Sequence, residues 1–250
     1  MKYLSIALFT LISLTSFSQT KFINSGKITY TRTVGQYTII ESMSSNGESD
    51  PWFEDIKKFF PKMVLDNFVL EFNENRSLYK IEKENSENKY IVQNLKPAEI
   101  DYVSQQLNDD LVVMKRTVFE NEYLVKDSLV KYEWKITGEV RDIAGFECKK
   151  ATTKICDSVV VVAFYTDQIP VKAGPENFNG LPGMIMGLAV PRLATTWFAT
   201  KLELQNPVIA SVDILAKGKA VQRTQINKDL NKGLTGWGKM GKIIVWIASL

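Results

Sequence analysis

Histidine is absent from all 250 residues of the chain. That removes Ser-His-Asp and Cys-His hydrolase chemistry, the common zinc sites that use an imidazole, and any imidazole switch near neutral pH. Cysteine is scarce. Cys148 and Cys156 are the two present, too few for a four-thiolate metal site and enough for a single bridge. A dominant charge is missing as well: 31 Lys and Arg stand against 28 acids, a formal +3. Such a balance argues against a nucleic-acid or membrane-surface binder driven by net charge. Beyond the N-terminus no apolar run is long enough to cross a bilayer. The C-terminal run Ile243 to Ala248 falls far short of a spanning helix.

What is present begins with an export signal. Met1-Lys2 is followed by an apolar run from Leu4 to Leu14, and Ser16-Phe17-Ser18 puts small residues where a signal peptidase reads. Residues 1–18 are expected to be removed. Lys2 leaves with them and no acid does, so the formal +3 becomes +2. No cysteine lies at that junction, which disfavours a lipid anchor. Residues 19–250 are read as a single β domain with a basic tail from about residue 217. Its size supports a core without disulfide help.

Period-two alternation marks most of the domain. Gly26 to Val34 sets Ile28, Tyr30 and Arg32 against Thr29, Thr31 and Thr33. Strands are also expected at Phe68–Phe72, Leu78–Ile81, Tyr90–Val92, 112–119, 122–126, 132–140, 146–153, 159–165, 184–190 and 195–204. Several links between them are short and polar, so neighbours should run antiparallel. The expected class is mainly β (α+β): a curved antiparallel meander or half-barrel with one or two helices. A loop is expected over 35–50. Asp50-Pro51 should open a helix carrying Trp52, Phe53, Ile56, Phe59 and Phe60 on one face. A second helix is expected after Pro97 through Ile100, Val103 and Leu107, a third near 222–230, and a last strand at 243–248.

The most specific stretch runs from Gly174-Pro175 to Gly180-Leu181-Pro182-Gly183-Met184-Ile185. Upstream lie Gly145-Phe146-Glu147-Cys148-Lys149-Lys150-Ala151 and Tyr165-Thr166-Asp167-Gln168-Ile169-Pro170. In this order the segments resemble the GLPGLI family of exported proteins of Gram-negative bacteria, with Met184 in place of a leucine of similar volume. The resemblance implies an exported β protein and assigns no activity. In style the fold it implies is similar to half-barrel carriers of lipids and lipoproteins, an analogy at the level of fold alone. Physically, Leu181 before Pro182 should be extended and Pro182-Gly183 should form a type II turn. The motif Gly180–Ile185 is then either a rigid corner feeding a buried strand or the lining of an apolar groove or docking surface.

Other candidate chemistry is thin. Met184 and Met186 could offer thioethers to Cu(I), though core packing suits an apolar run better. If the turn lies at Cys156-Asp157-Ser158, Cys148 and Cys156 are roughly 20 Å apart at ~3.3 Å per residue. If it centres on Thr152, they face each other and could bond. Adjacent acids at Glu54-Asp55 and Asp109-Asp110 suit a solvated surface rather than acid–base work. Asp167 and Glu176 could stabilise turns or form a weak Ca²⁺ site. No residue set is expected to be catalytic or to hold a cofactor or metal. The expected function is a non-enzymatic envelope protein that binds an apolar ligand or protein segment in its curved sheet. The alternatives are an accessory partner of an outer-membrane complex and a carboxylate enzyme, which would need two inward-facing acids in one cleft.

Overall fold

In the first strand the alternation seen in the sequence becomes an inside and an outside: Ile28, Tyr30, Arg32 and Val34 are buried while their neighbours are half-exposed. The computed structural model describes residues 22–43, 51–119, 121–156, 158–211, 215 and 220–250. The expected export signal, the cap Asp50, Asp157 and the first residues of the basic tail lie outside that set. The strands are β1 (Gly26–Gly35), β2 (Met63–Phe72), β3 (Arg76–Ile81), β4 (Tyr102–Gln106), β5 (Leu111–Val118) and β6 (Asn121–Ser128), followed by β7 (Lys135–Ile143), β8 (Phe146–Ile155), β9 (Val159–Thr166), β10 (Met184–Val190) and β11 (Thr195–Glu203). The helices are α1 (Gln36–Met43), α2 (Pro51–Lys57), α3 (Arg223–Gly233) and α4 (Gly238–Ala248).

All eleven strands form one antiparallel sheet in the order β6-β5-β4-β3-β2-β1-β11-β10-β9-β8-β7. Two meander arms spread from a central seam in which β1 pairs with β11, Ile28 opposite Leu202 and Arg32 opposite Trp197. The outermost strands β6 and β7 do not pair, so the sheet stays open. They are nonetheless consecutive in sequence, joined by residues 129–134. Laid flat, eleven strands at ~4.8 Å spacing would put those edges ~48 Å apart. The link reaches only ~24 Å at ~3.4 Å per residue. The sheet must therefore curl into a trough, with residues 129–134 as a strap across its open side. The expected curved antiparallel meander is the observed architecture.

Four local expectations fail for identifiable reasons. Residues 102–106 are strand β4 rather than helix, because Val103 and Gln105 point inward and the segment pairs with both β3 and β5. Residues 36–43 are helix α1 rather than loop. Buried Gln36 anchors it: its Nε2 donates to the carbonyls of Pro61 (2.9 Å) and Lys89 (3.0 Å), and its Oε1 accepts from the Ile91 N–H (2.8 Å). Residues 90–92 form no strand; Tyr90 and Val92 are buried against the helical end of the trough. Finally, 243–248 belongs to helix α4. Gly241, Ile243 and Ile244 gather on one helical face and turn to the core. Helix α3 falls where the sequence placed it.

Candidate functional site

The trough is filled by its own chain. Residues 167–183 join β9 to β10, and instead of running over the surface they turn inward, with residues 173–179 all buried. A buried loop must satisfy its backbone groups internally. Here Met184 N–H donates to Ile169 O (2.8 Å), Ile185 N–H to Ala173 O (2.9 Å) and Gly180 N–H to Lys172 O (3.2 Å). The Asn177 N–H donates to the Leu250 carbonyl (3.2 Å). The strap closes over the loop: Tyr132 stacks on Phe178 with centroids 5.0 Å apart, and Trp134 Nε1 donates to Asn179 O (2.9 Å).

The sequence motif is the foot of this loop. The turn differs from the expected type II: Gly183 N–H donates to Leu181 O (2.8 Å), a three-residue turn centred on Pro182. Glycine is required at 183, because a Cβ there would sit 2.0 Å from the Thr166 carbonyl oxygen. At Gly187 a Cβ would meet the Ile143 and Phe198 side chains at 2.8 and 2.9 Å. Gly180 is uncrowded and is instead set by its φ of +88°. Of the motif, Gly180 and Pro182 are exposed, whereas Leu181, Gly183, Met184 and Ile185 are buried. The motif forms a corner that anchors the filling loop. Met184 and Met186 are fully buried core residues.

Inward-facing acids exist, brought together from distant segments, and each is engaged. Arg32 Nη2 and Nε donate to Asp66 Oδ2 at 2.7 and 3.2 Å, Nη2 also donates to Leu95 O (2.6 Å), and Tyr90 O–H donates to the same carboxylate. Arg116 Nη2 donates to Glu176 Oε2 (2.7 Å), while Tyr79 O–H approaches Oε1 at 3.4 Å. Asp101 accepts from Thr117 Oγ1 (2.8 Å), and burial raises its carboxyl above the usual range. Burial likewise pushes the Tyr79 and Tyr30 phenols well above their ordinary value. Arg32, Arg116, Glu176 and Asp101 share a narrow chamber of about 70 Å³, room for a few waters. The acids flagged by adjacency do other things. Glu54 and Asp55 pair with Lys57 and Lys58 on the surface, and Asp167 pairs with Lys149 at 2.6 Å, away from Glu176.

Cys148 and Cys156 are both free. The β8–β9 register, with Ile155 opposite Val159 and Lys149 opposite Tyr165, puts the turn at 156–158. The bridged arrangement, which needed a turn at Thr152, is not the one formed. Cys148 is buried, and burial, aided by the Asp142 carboxylate, pushes its thiol up to about 12.

A second cavity lies at the end of the trough where α1, α2 and α4 sit. It measures about 360 Å³ and is walled by Ile40, Met43, Trp52, Ile56, Phe60, Ile91, Phe119, Trp237, Met240 and Ile244. The aromatic helix therefore does not plug the sheet; it forms one bank of this cleft. Trp52 is 58% exposed and Phe59 73%. The side chain of Phe53 is outside the described set. Phe119 and Trp237 meet edge-to-face at 6.2 Å on the other bank. Asn94 borders both this cleft and the neighbouring chamber, and its Nδ2 is buried with no partner among the described residues. The sequence flagged Trp52 and Phe60, but Phe119, Trp237 and Met240 lie in separate segments, each unremarkable alone.

A family of proteins of unknown function, Porph_ging, matches residues 152–187, which run from the end of β8 through the filling loop into β10. No curated protein sequence matches the chain. Among solved structures, PNGF-II in a C2 crystal form aligns with TM-score 0.51 and 18% identity, covering 90% of this chain and 33% of that one. The P21 form aligns with the same score and identity over 86% and 34%. An uncharacterized conserved protein from Thermus thermophilus reaches TM-score 0.37 at 6% identity over 80% and 88%, a likeness too slight to bear on the fold. The chain thus spans about a third of the PNGF-II chains it resembles, and shares with that third a fold.

Proposed function

We propose that the protein is a non-enzymatic exported envelope protein that holds one acyl chain in the cleft beside α1, α2 and α4. The observation that carries this reading is the cleft itself: about 360 Å³, with apolar walls and aromatic lips, inside the range of small-ligand sites. Met43 and Met240 supply soft, adaptable walls suited to a flexible chain. The concave sheet, expected to be the binding surface, is occupied by residues 173–179, so the ligand site moves from the trough to its end. Glu176 and Asp101 do share a chamber as a carboxylate enzyme would require, but the pairing of Glu176 with Arg116 and of Asp101 with Thr117 supports the non-enzymatic part. The hexapeptide Gly180–Ile185 carries the resemblance to the GLPGLI family, and that resemblance is the ground for proposing export after cleavage near Ser18.

The test is native mass spectrometry of protein recovered from the bacterial envelope, followed by titration of delipidated protein with a long-chain fatty acid. A bound acyl species and a higher Tm on reloading are expected, since a ligand at a hundredfold its Kd adds ~2.7 kcal/mol. Empty protein and an unmoved Tm would overturn the reading. N-terminal sequencing of the exported form should begin near Gln19. A second reading, an accessory partner of an envelope complex, is favoured by β7. This unpaired edge strand is exposed along most of its length, Ile136 and Val140 included. Crosslinking from β7 that captures no envelope protein would remove it.

A further inference from the structure

The whole-chain charge hides a segregation. Helices α3 and α4 and their connecting turn, residues 223–248, carry Arg223, Lys228, Lys232, Lys239 and Lys242 against the single acid Asp229, a formal +4 when the entire chain is +3. The remaining 26 Lys and Arg are offset by 27 acids, a formal −1, so the net positive charge of the chain resides on one helical hairpin. All four lysines of that hairpin are exposed.

The hairpin carries its aromatic at its tip. Trp237 lies between the two helices, 48% exposed, beside Phe119 at 46%. Across the cleft stand Trp52 at 58% and Phe59 at 73%. Large aromatics left half in solvent and mixed with lysines are the composition of segments that rest in the headgroup region of a bilayer. The buried side of the hairpin is fixed by Ile226, Leu230, Ile243 and Ile244. Its lysines and Trp237 are thus presented on a rigid frame rather than on a loose tail.

We infer that the α3–α4 hairpin docks the protein onto an anionic lipid bilayer, with Trp237, Phe119 and Trp52 entering the interface and Lys228, Lys232 and Lys242 meeting the headgroups. The inference deepens the acyl-binding reading, because the cleft mouth then opens at the surface from which an acyl chain would come. It does not need that reading to be true. Charge selects the occupant: a protein partner would have to supply a matching acidic face, whereas anionic phospholipid supplies one at any orientation about the bilayer normal.

The test is flotation of the purified protein with vesicles of phosphatidylglycerol mixed with phosphatidylethanolamine, and with vesicles of phosphatidylcholine alone. Partition onto the anionic vesicles is expected, weakening as salt rises. The double variant Lys232→Glu/Lys242→Glu should lose about thirtyfold or more, the weight of two lysines at an anionic surface. Trp237→Ser should lose partition on anionic vesicles without changing the salt dependence. Both variants alter exposed side chains, and an unchanged Tm would show that the fold is intact. Equal partition on the two vesicle types, no partition at all, or variants that float like the parent protein would each overturn the inference. Fatty-acid binding measured without vesicles separates the two ideas. Its survival in a protein that does not float sinks docking alone; its absence in a protein that floats sinks the cleft reading alone.

Discussion

The two ends of the filling differ in kind. The β9–β10 loop packs the trough with the unbroken buried run 173–179, its foot fixed by Pro182 and Gly183. The helical end leaves Trp52, Phe59, Phe119 and Trp237 half in solvent around a cleft of about 360 Å³. The sequence drew attention to the first region because its residues are unusual. Their rarity comes from geometry: a carbonyl stands 2.0 Å from where a Gly183 side chain would begin. The second region uses common apolar residues drawn from separated segments and is where unsatisfied surface remains. A stretch distinctive enough to mark a family can therefore be architecture, while the surface open to a ligand leaves little trace in the chain.

The comparison can be broken at either end. The largest effect is expected from Gly183→Ala, whose Cβ meets backbone that cannot give way. Urea denaturation should show a loss above ~3 kcal/mol, or no folded protein. Asp66→Ala removes the partner of a buried guanidinium and should cost about 3–5 kcal/mol by the same measurement. Tyr30→Phe deletes the hydroxyl that donates to Ile185 O (2.7 Å) at the foot of the loop and should cost about 1–2 kcal/mol. At the other end Trp52→Ala should change stability by less than ~0.5 kcal/mol, as an exposed side chain, yet weaken fatty-acid binding about tenfold, the weight of a buried aromatic contact. A stability loss at Trp52 matching that at Tyr30, with binding untouched, would erase the contrast. The smallest expected effect is chemical. A thiol reagent at neutral pH should label exposed Cys156 and spare buried Cys148 until the protein unfolds, and labelling of both in the native state would contradict the buried environment of β8.

Most of the sheet could be read in the chain because alternation is local: Ile28, Tyr30, Arg32 and Val34 announce β1 without help from any partner. Three kinds of signal misled. Ile100, Val103 and Leu107 fall at helical spacing, but pairing with β3 and β5 on both sides overrides it. The run Ile243 to Ile247 is rich in β-branched residues, yet it forms α4, which buries Ile243 and Ile244 together with Gly241 on one face. Helix α1 depends on Gln36 reaching Pro61, Lys89 and Ile91, contacts no local window contains. The ion pairs Arg32–Asp66 and Arg116–Glu176 were hidden for the same reason: each joins residues from different elements. For the cleft, the aromatic spacing of Trp52, Ile56 and Phe60 was a true signal whose destination only the fold could supply.

The seam between β1 and β11 has a consequence for how the molecule comes into being. Every other strand pairs with the strand before or after it in the chain, so each hairpin can zip as soon as it is made and little loop entropy is lost. β1 is different: one flank finds β2 at once, while the other must wait for residues near Leu202, almost the whole length of the polypeptide later. Until then a row of unpaired amides and carbonyls lies open to any passing strand. A chain threaded through a translocation channel from its amino end would carry that unfinished border for the entire passage, and the arrival of the eleventh strand leaves only the outer borders at β6 and β7 open to other chains.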